Sequence, residues 1–401
     1  MEIDPTGGML ELAARIRAAG GRTVVYGARA LLSEMTVRAL EKLGIGPDCL
    51  ADGRQDLLEL GELNGLPVVG LEELAREYGD ADIFICLTRE YWTVRDILET
   101  KGFKASRLHD VAGLLHGVRI AGDGMFGQST RQLEQAVLSH KRLVETRRGR
   151  LSLPFVNMIV TERCSLNCAD CNNLIPHIRD RRDYGAGALL EQMSRLMGGI
   201  DSLVVGSVIG GEPFLYPELA GLIRGLRRHD RIERLELVTN GTLIPRAELV
   251  DVLARNQVHV VISDYGPLSP VLRELRKIFE AGGVSHDVAA FNDWYDMGNL
   301  AKRGRNDADL GITFTNCKFK YCPTLLGGKL YRCSRSAFGT RVGAIPPAAG
   351  EGIDLNDPGL DAEAVRRQVG DLFYGRDWLS ACDYCDGGNI GGYTIPPAIQ
   401  A

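Results

Sequence analysis

Three cysteines stand close together near the middle of the chain with the spacing CxxxCxxC: Cys164, Cys168 and Cys171. Thiolates are the usual protein ligands of iron–sulfur clusters. A loop with this spacing can bring three sulfurs to one cubane, and the fourth iron is then left for a substrate or cofactor. Zinc is the alternative, but it prefers four ligands, and the nearest histidine, His177, does not complete a local zinc site. The triad therefore predicts a cluster with one open iron.

Further polar motifs follow the triad at regular intervals, each directly after an apolar run that predicts a strand. Because the carboxyl ends of parallel strands meet at one edge of a sheet, we expect these motifs to lie together there. The candidate ligand-binding residues at this edge are Gly210, Gly211, Glu212, Pro213, Thr239, Asn240, Ser263 and Asp264.

A second group of cysteines lies further along the chain: Cys317, Cys322, Cys333, Cys382 and Cys385. Either Cys317 or Cys322 can open a unit that continues through Cys333, and a CxxC pair closes it. Four such thiols could ligate a second iron–sulfur cluster or a structural zinc ion. One thiol of the five would then be spare.

The elements that must position these residues alternate between strand and helix. The first third reads as strands at residues 23–27, 67–69 and 82–86, with helices at 30–43, 71–78 and 91–101. This alternation favours a small parallel α/β domain. Only Gly27 and Ala28 occupy its first strand-to-helix turn. The dinucleotide fingerprint has three glycines there, so nicotinamide or flavin binding is not supported.

The same alternation resumes after a glycine-rich stretch and a polar amphipathic helix over residues 129–148, and it loosens after residue 291. Strands are predicted at 154–160, 202–209, 234–238, 258–262 and 284–289, with helices at 186–196, 217–228, 246–255 and 271–281. We therefore predict four segments: an α/β domain at 1–120, a connector helix at 121–150, a partial barrel at 151–300 and a cysteine-rich cluster-binding extension at 301–401.

The motif set resembles the radical S-adenosylmethionine (SAM) superfamily over roughly residues 150–390. The resemblance implies a partial (β/α)6 barrel, here preceded by a Rossmann-like α/β domain. It also implies that SAM chelates the open iron and is cleaved by one electron to methionine and a 5′-deoxyadenosyl radical. Gly210 to Pro213 would hold the methionine amino group, and Ser263 and Asp264 would lie near the ribose and carboxylate. Asp170 departs from the family, which usually has an aromatic or large apolar residue there.

The second cysteine group resembles the twitch, or truncated SPASM, extension of that superfamily. This resemblance implies one auxiliary [4Fe–4S] cluster with four cysteine ligands. We favour Cys322, Cys333, Cys382 and Cys385, with Cys317 as the alternative ligand. A spare thiol could also donate a hydrogen atom, as in some radical epimerases, or could simply be a buried small side chain. Cys317 is therefore a candidate catalytic residue.

The nearest functional resemblance is to radical SAM dehydrogenases and epimerases that modify carbohydrates. We expect hydrogen abstraction from a sugar, nucleoside or nucleotide-sugar carbon, followed by oxidation or epimerisation. The expected partners are that substrate and an external one-electron reductant of the flavodoxin or ferredoxin type. The alternatives are a peptide maturase, sulfur insertion or dehydration of a sugar, and an iron–sulfur redox sensor. Peptide maturases often carry an N-terminal winged-helix domain, which the α/β pattern does not match.

Two further stretches could contact a substrate. The segment 293–299 combines Trp294 and Tyr295 with carboxylates and could form a sugar-binding wall. Arg332 and Arg335 flank Cys333 and could receive a phosphate.

Charge and hydropathy bound the class of protein. The 47 Lys and Arg against 52 Asp and Glu give a formal charge of −5, which argues against non-specific binding to nucleic acid. No apolar run approaches the roughly 18 residues that span a bilayer, and the acidic N-terminal residues do not resemble a secretory signal. We therefore expect a cytoplasmic protein without membrane partners, whose cysteines are not paired in disulfides.

Overall fold

The computed structural model describes residues 5–28, 32–87, 91–115, 137, 140, 151–291, 293–317, 319–320, 322–387 and 394–401. The chain divides into two compact units, residues 1–150 and 151–401. The predicted connector helix at 121–150 lies almost entirely outside the described residues. Within those residues, every helix is too short or too polar to cross a membrane.

The first unit is built on a mainly parallel sheet. Its elements are α1 (Gly7–Ala19), β1 (Thr23–Tyr26), α2 (Ser33–Lys42), β2 (Cys49–Ala51), α3 (Gln55–Leu60), β3 (Glu62–Leu63), β4 (Leu66–Val69), α4 (Leu71–Glu77), β5 (Asp82–Ile85), α5 (Tyr91–Thr100) and β6 (Leu108–Asp110). The strand order is β3-β4-β2-β1-β5-β6, and neighbours are parallel except for the β3–β4 hairpin. Asn64 and Gly65 turn that hairpin with φ of 54° and 81°, as a type I′ turn requires. The predicted parallel α/β character is confirmed, whereas the short β2 and β6 escaped prediction.

The second unit continues the alternation. Its elements are β7 (Ser152–Ile159), α6 (Ala186–Gly199), β8 (Ser202–Ile209), α7 (Leu219–Leu226), β9 (Ile232–Thr239), α8 (Ala247–Arg255), β10 (His259–Asp264), α9 (Leu272–Gly282), β11 (His286–Ala290), β12 (Trp294–Tyr295), α10 (Asp307–Asn316), β13 (Thr324–Leu326), β14 (Lys329–Tyr331), α11 (Ser334–Arg341), β15 (Gly352–Asp354), α12 (Ala362–Tyr374) and β16 (Thr394–Ile395). Strands β7 to β11 are parallel neighbours in chain order. The predicted parallel α/β sheet is therefore present.

The core of the second unit explains why these strands stay in place. All eight residues of β7 are buried, as expected for a parallel strand covered on both faces. Leu189, Met193 and Leu196 recur at helical spacing on α6 and are buried in the same hydrophobic cluster as Leu153 and Val156 of β7. This packing fixes the strand ends from which the polar motifs emerge.

The sheet extends on the β7 side rather than beyond β11. Strand β13 runs parallel to β7, and β14 and β15 follow in antiparallel pairing. The β13–β14 hairpin turns at Gly327 and Gly328, whose φ values are 59° and 88°. Strands of three residues carry too little periodicity to be predicted, and the predicted six-stranded barrel stays a prediction. Strands β12 and β16 form a separate antiparallel pair.

Candidate functional site

The sequence-predicted motifs meet at one edge of the second unit's sheet. The cysteine loop follows β7, Gly210 follows β8, Thr239 ends β9 and Asp264 ends β10. Because β7 to β10 are parallel neighbours, their carboxyl ends lie side by side. Ligands of parallel α/β proteins bind at this kind of edge.

Two glycines let the end of β8 lie directly against the start of the cysteine loop. The Gly211 N–H donates to the Thr161 carbonyl at 2.8 Å. A Cβ on Gly211 would overlap the Arg163 carbonyl and lie 2.8 Å from Cβ of Cys164. A Cβ on Gly210 would overlap the Thr161 carbonyl oxygen. Only glycine at both positions permits this approach.

Glu212 joins the ends of β8 and β9 through a fully buried carboxylate. Its Oε1 accepts from Phe214 N at 3.0 Å and from Thr239 Oγ1 at 2.9 Å, and its Oε2 accepts from Asn240 N at 2.8 Å. A carboxylate offers about four lone-pair sites, so most of its accepting capacity serves the protein itself. This positioning role was not predicted from the sequence, because the partner residues lie in different βα units.

The stability of the protein is expected to depend on pH through Glu212. Burial raises the pKa of this carboxyl to about 7 from its ordinary 4.5, so the folded protein holds a proton that the unfolded chain releases in that window. This contribution is fully present below pH 4.5 and is lost as pH rises through about 7, roughly 3 kcal/mol in total. Urea unfolding of wild type and Glu212→Gln across this range tests it. The difference between their unfolding free energies should fall with rising pH, and a flat difference would contradict the assignment.

Two asparagines tie the cysteine loop to neighbouring strand ends. Asn240 Nδ2 donates to Ser165 Oγ at 3.0 Å and to Cys164 Sγ at 3.6 Å. Asn173 Nδ2 donates to the Gly210 carbonyl at 3.0 Å. The loop is therefore held from the β8 and β9 sides.

The three thiols of the triad form one electrostatically coupled group. Burial, with smaller contributions from negative charge at Glu212, Cys171 and Cys168, raises the pKa of Cys164 to about 12. Burial also raises the pKa of Cys168 and Cys171. Across the described ranges, no three His, Cys, Asp or Glu side chains are grouped so as to hold a single metal ion. The donor set suits a [4Fe–4S] cluster in kind, since three soft thiols stand on one loop and amide donors are directed at two of them.

An aromatic group lies beside the triad although Asp170, inside it, is exposed. Tyr265 directly follows β10, stacks on Phe291 at 5.5 Å and meets Trp294 edge-on at 5.7 Å. Burial raises the pKa of the Tyr265 phenol, and the charges of the triad thiols raise it further. Sequence reasoning missed Tyr265, although its place directly after the strand-end Ser263 and Asp264 was a usable signal.

Ser263 and Asp264 shape the turn that carries Tyr265. Asp264 Oδ1 accepts from Gly266 N at 2.8 Å, and the Ser263 carbonyl accepts from Ser269 Oγ at 3.1 Å. The expected contacts of these two residues with SAM stay predictions.

The second cysteine group also converges. Main-chain N–H groups donate to three of its sulfurs: Phe319 to Cys317 at 3.3 Å, Ser336 to Cys333 at 3.4 Å and Gly387 to Cys385 at 3.3 Å. Burial raises the pKa of Cys317 well above its ordinary value, and charges at Cys385, Cys333 and Cys382 add to this. Charge at Cys322 likewise raises the pKa of Cys333. All five thiols therefore belong to one neighbourhood.

The two arginines beside Cys333 donate hydrogen bonds to main-chain carbonyls. Arg332 Nη1 donates to the carbonyls of Leu372 and Arg376. Arg335 Nη2 donates to the main-chain carbonyls of Gly298 and Asn299 in the 293–299 segment, and Arg335 is 7% exposed. The contacts of both side chains support the backbone around the second cysteine group, and the phosphate interpretation stays a prediction.

Comparison with known proteins gives a match within the second unit. The model of the radical SAM superfamily matches residues 158–291, so this part of the chain is similar to radical SAM domains, whose cofactors are a [4Fe–4S] cluster and SAM. A GTP 3′,8-cyclase of Rhodopseudomonas palustris (strain TIE-1) is 28% identical over 148 residues, covering 35% of this chain and 40% of the relative. The chain thus matches about two fifths of that protein's length.

Solved structures of radical SAM enzymes are more distant. Native anSMEcpe with bound AdoMet has a TM-score of 0.39 and 13% identity, covering 58% of this chain and 83% of that one. BtrN in complex with AdoMet and 2-DOIA has a TM-score of 0.36 and 14% identity, covering 61% of this chain and 98% of that one.

Proposed function

We propose that this chain is a radical SAM oxidoreductase or epimerase, which removes a hydrogen atom from a carbon of a sugar, nucleoside or nucleotide-sugar. The observation that supports it most is the meeting of Cys164, Cys168 and Cys171 with the glycine end of β8 at one sheet edge. When bound there, the cluster and SAM supply the electron transfer and radical chemistry.

The residues of this chain would bind and orient the cluster and SAM and would exclude water from them. Gly210 and Gly211 bring main chain against the cysteine loop, and Asn240 directs an N–H at Cys164 Sγ. Glu212 holds two strand ends together and keeps remaining accepting capacity for an amino group. We propose that Ser263 and Asp264 line the same edge toward the ribose.

The aromatic group beside the triad supports a carbohydrate or nucleoside substrate. The rings of Tyr265, Phe291 and Trp294 pack on one another, and aromatic faces suit the carbon faces of sugars and the planes of bases. The similarity to a protein named GTP 3′,8-cyclase favours a nucleotide or nucleoside within that class.

Hydrogen transfer from substrate carbon tests this proposal. Anaerobically reconstituted protein with dithionite and SAM is incubated with ring-deuterated GTP, nucleosides and UDP-sugars. The expected result is 5′-deoxyadenosine that carries deuterium from one of these probes. Deuterium transferred only from a peptide would replace the sugar proposal with peptide maturation, and absence of 5′-deoxyadenosine from a SAM-responsive cluster would contradict radical cleavage itself.

We also propose one auxiliary [4Fe–4S] cluster on Cys333, Cys382, Cys385 and either Cys317 or Cys322. Cys317 is supported by its N–H donor and by charge coupling to three of these thiols, and Cys322 by coupling to Cys333. The one that is not a ligand becomes the candidate hydrogen donor for epimerisation.

Iron analysis of Cys317→Ala and Cys322→Ala separates these roles. The ligand variant is expected to lose about four iron atoms per chain, and the other variant to keep them. If the variant that keeps its iron still forms 5′-deoxyadenosine but no longer inverts the substrate carbon, its thiol is the donor. Retention of all iron by both variants would contradict the proposed ligand set.

A further inference from the structure

The segment 394–401 is anchored at both ends, far along the chain from its partners. Thr394 and Ile395 pair antiparallel with β12. At the other end, Ala169 N donates to the Ile399 carbonyl at 2.7 Å, and Ala401 N donates to the Asn167 carbonyl at 2.7 Å. The segment therefore runs from the strand that carries Trp294 to the cysteine loop.

The side chain of Gln400 is fixed on both sides of its amide. Its Oε1 accepts from Asn167 N at 2.7 Å. Its Nε2 donates to the Ala398 carbonyl at 2.7 Å and to Cys168 Sγ at 3.4 Å. Because the oxygen faces a main-chain N–H, the amide cannot be reversed without losing that bond. The N–H is consequently aimed at the sulfur.

We propose that Gln400 is a positioning residue of the SAM-binding cluster, whose amide N–H raises the reduction potential of that cluster through Cys168. This rests on the proposed function, namely that Cys168 ligates the cluster. An N–H directed at a ligand sulfur stabilises the additional negative charge of the reduced state. A higher potential lowers the demand on the external reductant that starts each turnover.

The main-chain hydrogen bonds of this segment and the side-chain hydrogen bond of Gln400 can be tested separately. The pairing of residues 399 and 401 with the loop uses main-chain atoms and survives a change of side chain at Gln400. The contact with Cys168 Sγ uses the side chain alone. A substitution of Gln400 therefore tests the potential without removing the pairing.

The experiment is an EPR-monitored redox titration of the reconstituted full chain, following the signal that SAM perturbs. Gln400→Met keeps the length of the side chain without the N–H, and Gln400→Asn keeps an amide that is one methylene too short to reach. Both are expected to lower the reduced-to-oxidised ratio of the cluster at a fixed potential by about tenfold, which is about 59 mV for a one-electron couple. Gln400→Glu should shift it further in the same direction, because it also adds negative charge. Ile399→Ser, at an exposed side chain, is the control and should leave the potential unchanged.

Iron content and SAM response are measured first, so that the two possible failures are distinguishable. A wild-type protein without a SAM-responsive cluster would overturn the proposed function, and this inference with it. With that cluster present, a wild-type potential in any Gln400 variant that retains its iron would overturn the inference alone. Loss of cluster iron from both Gln400→Met and Gln400→Asn would also overturn it, since Gln400 would then have only a structural role.

Discussion

Iron content is expected to fall by about four atoms per chain when Cys168 is replaced by alanine, and equally at Cys164 or Cys171. The three thiols share one partly buried, electrostatically coupled neighbourhood, and removing one leaves two protein ligands for a cubane. Formation of 5′-deoxyadenosine should fall by at least about a thousandfold, since the cleaving electron and the open iron belong to the same cluster. Iron analysis and product detection under dithionite measure the two effects.

Cys49→Ala is the matched control for this loss. Cys49 is also a buried thiol whose pKa burial raises to about 12, but it lies in β2 of the first unit. The Cys49→Ala substitution should lower the free energy of unfolding by about 1 to 2 kcal/mol, because it leaves a small cavity. It should leave the iron content intact. A triad variant that keeps its full iron content and its SAM-responsive signal would contradict the ligand assignment.

The sequence was sufficient to predict the strand ends of the second unit, because each motif stands at the end of a mainly apolar strand. The strong apolar pattern of consecutive βα units locates the strand ends. It therefore leaves few alternatives for the positions of Gly210, Thr239 and Asp264 in the fold. Most residues of the candidate site could therefore be predicted from polar and cysteine residues at that edge.

The contacts that hold this site together could not be predicted in the same way. Gln400 meets Cys168 across 232 positions of sequence, and no local spacing encodes such a pairing. Glu212 was expected to bind a ligand, and the hydrogen bonds that its carboxylate also takes from two strand ends were not predicted. The ring of Tyr265 lies beside the triad because Tyr265 directly follows β10 and stacks on Phe291.

The short strands β13 to β15 were not predicted from the sequence for a different reason. Each is three residues long, which is less than two periods of a strand pattern, so their pairing depends on the edge that β7 offers. Cys322 and Cys333 of the second cysteine group flank the β13–β14 hairpin. The hairpin extends the same sheet from which the triad loop emerges.

Gly211→Ala is expected to cost about 3 kcal/mol of unfolding free energy and to remove the response of the cluster to SAM. The added Cβ would overlap the Arg163 carbonyl and press on Cβ of Cys164. Neither the Arg163 carbonyl nor Cβ of Cys164 is the end of a flexible side chain that could move aside. Overpacking of this kind costs about 1 to 3 kcal/mol. The loop must shift instead, which displaces Cys164 from the position that Asn240 and Gly211 define.

Gly187→Ala provides the control for this substitution within the same unit. A Cβ there meets nothing within 4 Å, and Gly187 lies inside α6. Alanine should therefore leave the SAM response intact and stabilise the helix by about 0.5 to 1 kcal/mol. Urea unfolding gives the free energies, and EPR of the reduced protein with and without SAM gives the response. If Gly211→Ala matched Gly187→Ala in both measurements, the close approach of β8 to the cysteine loop would not be what positions the triad.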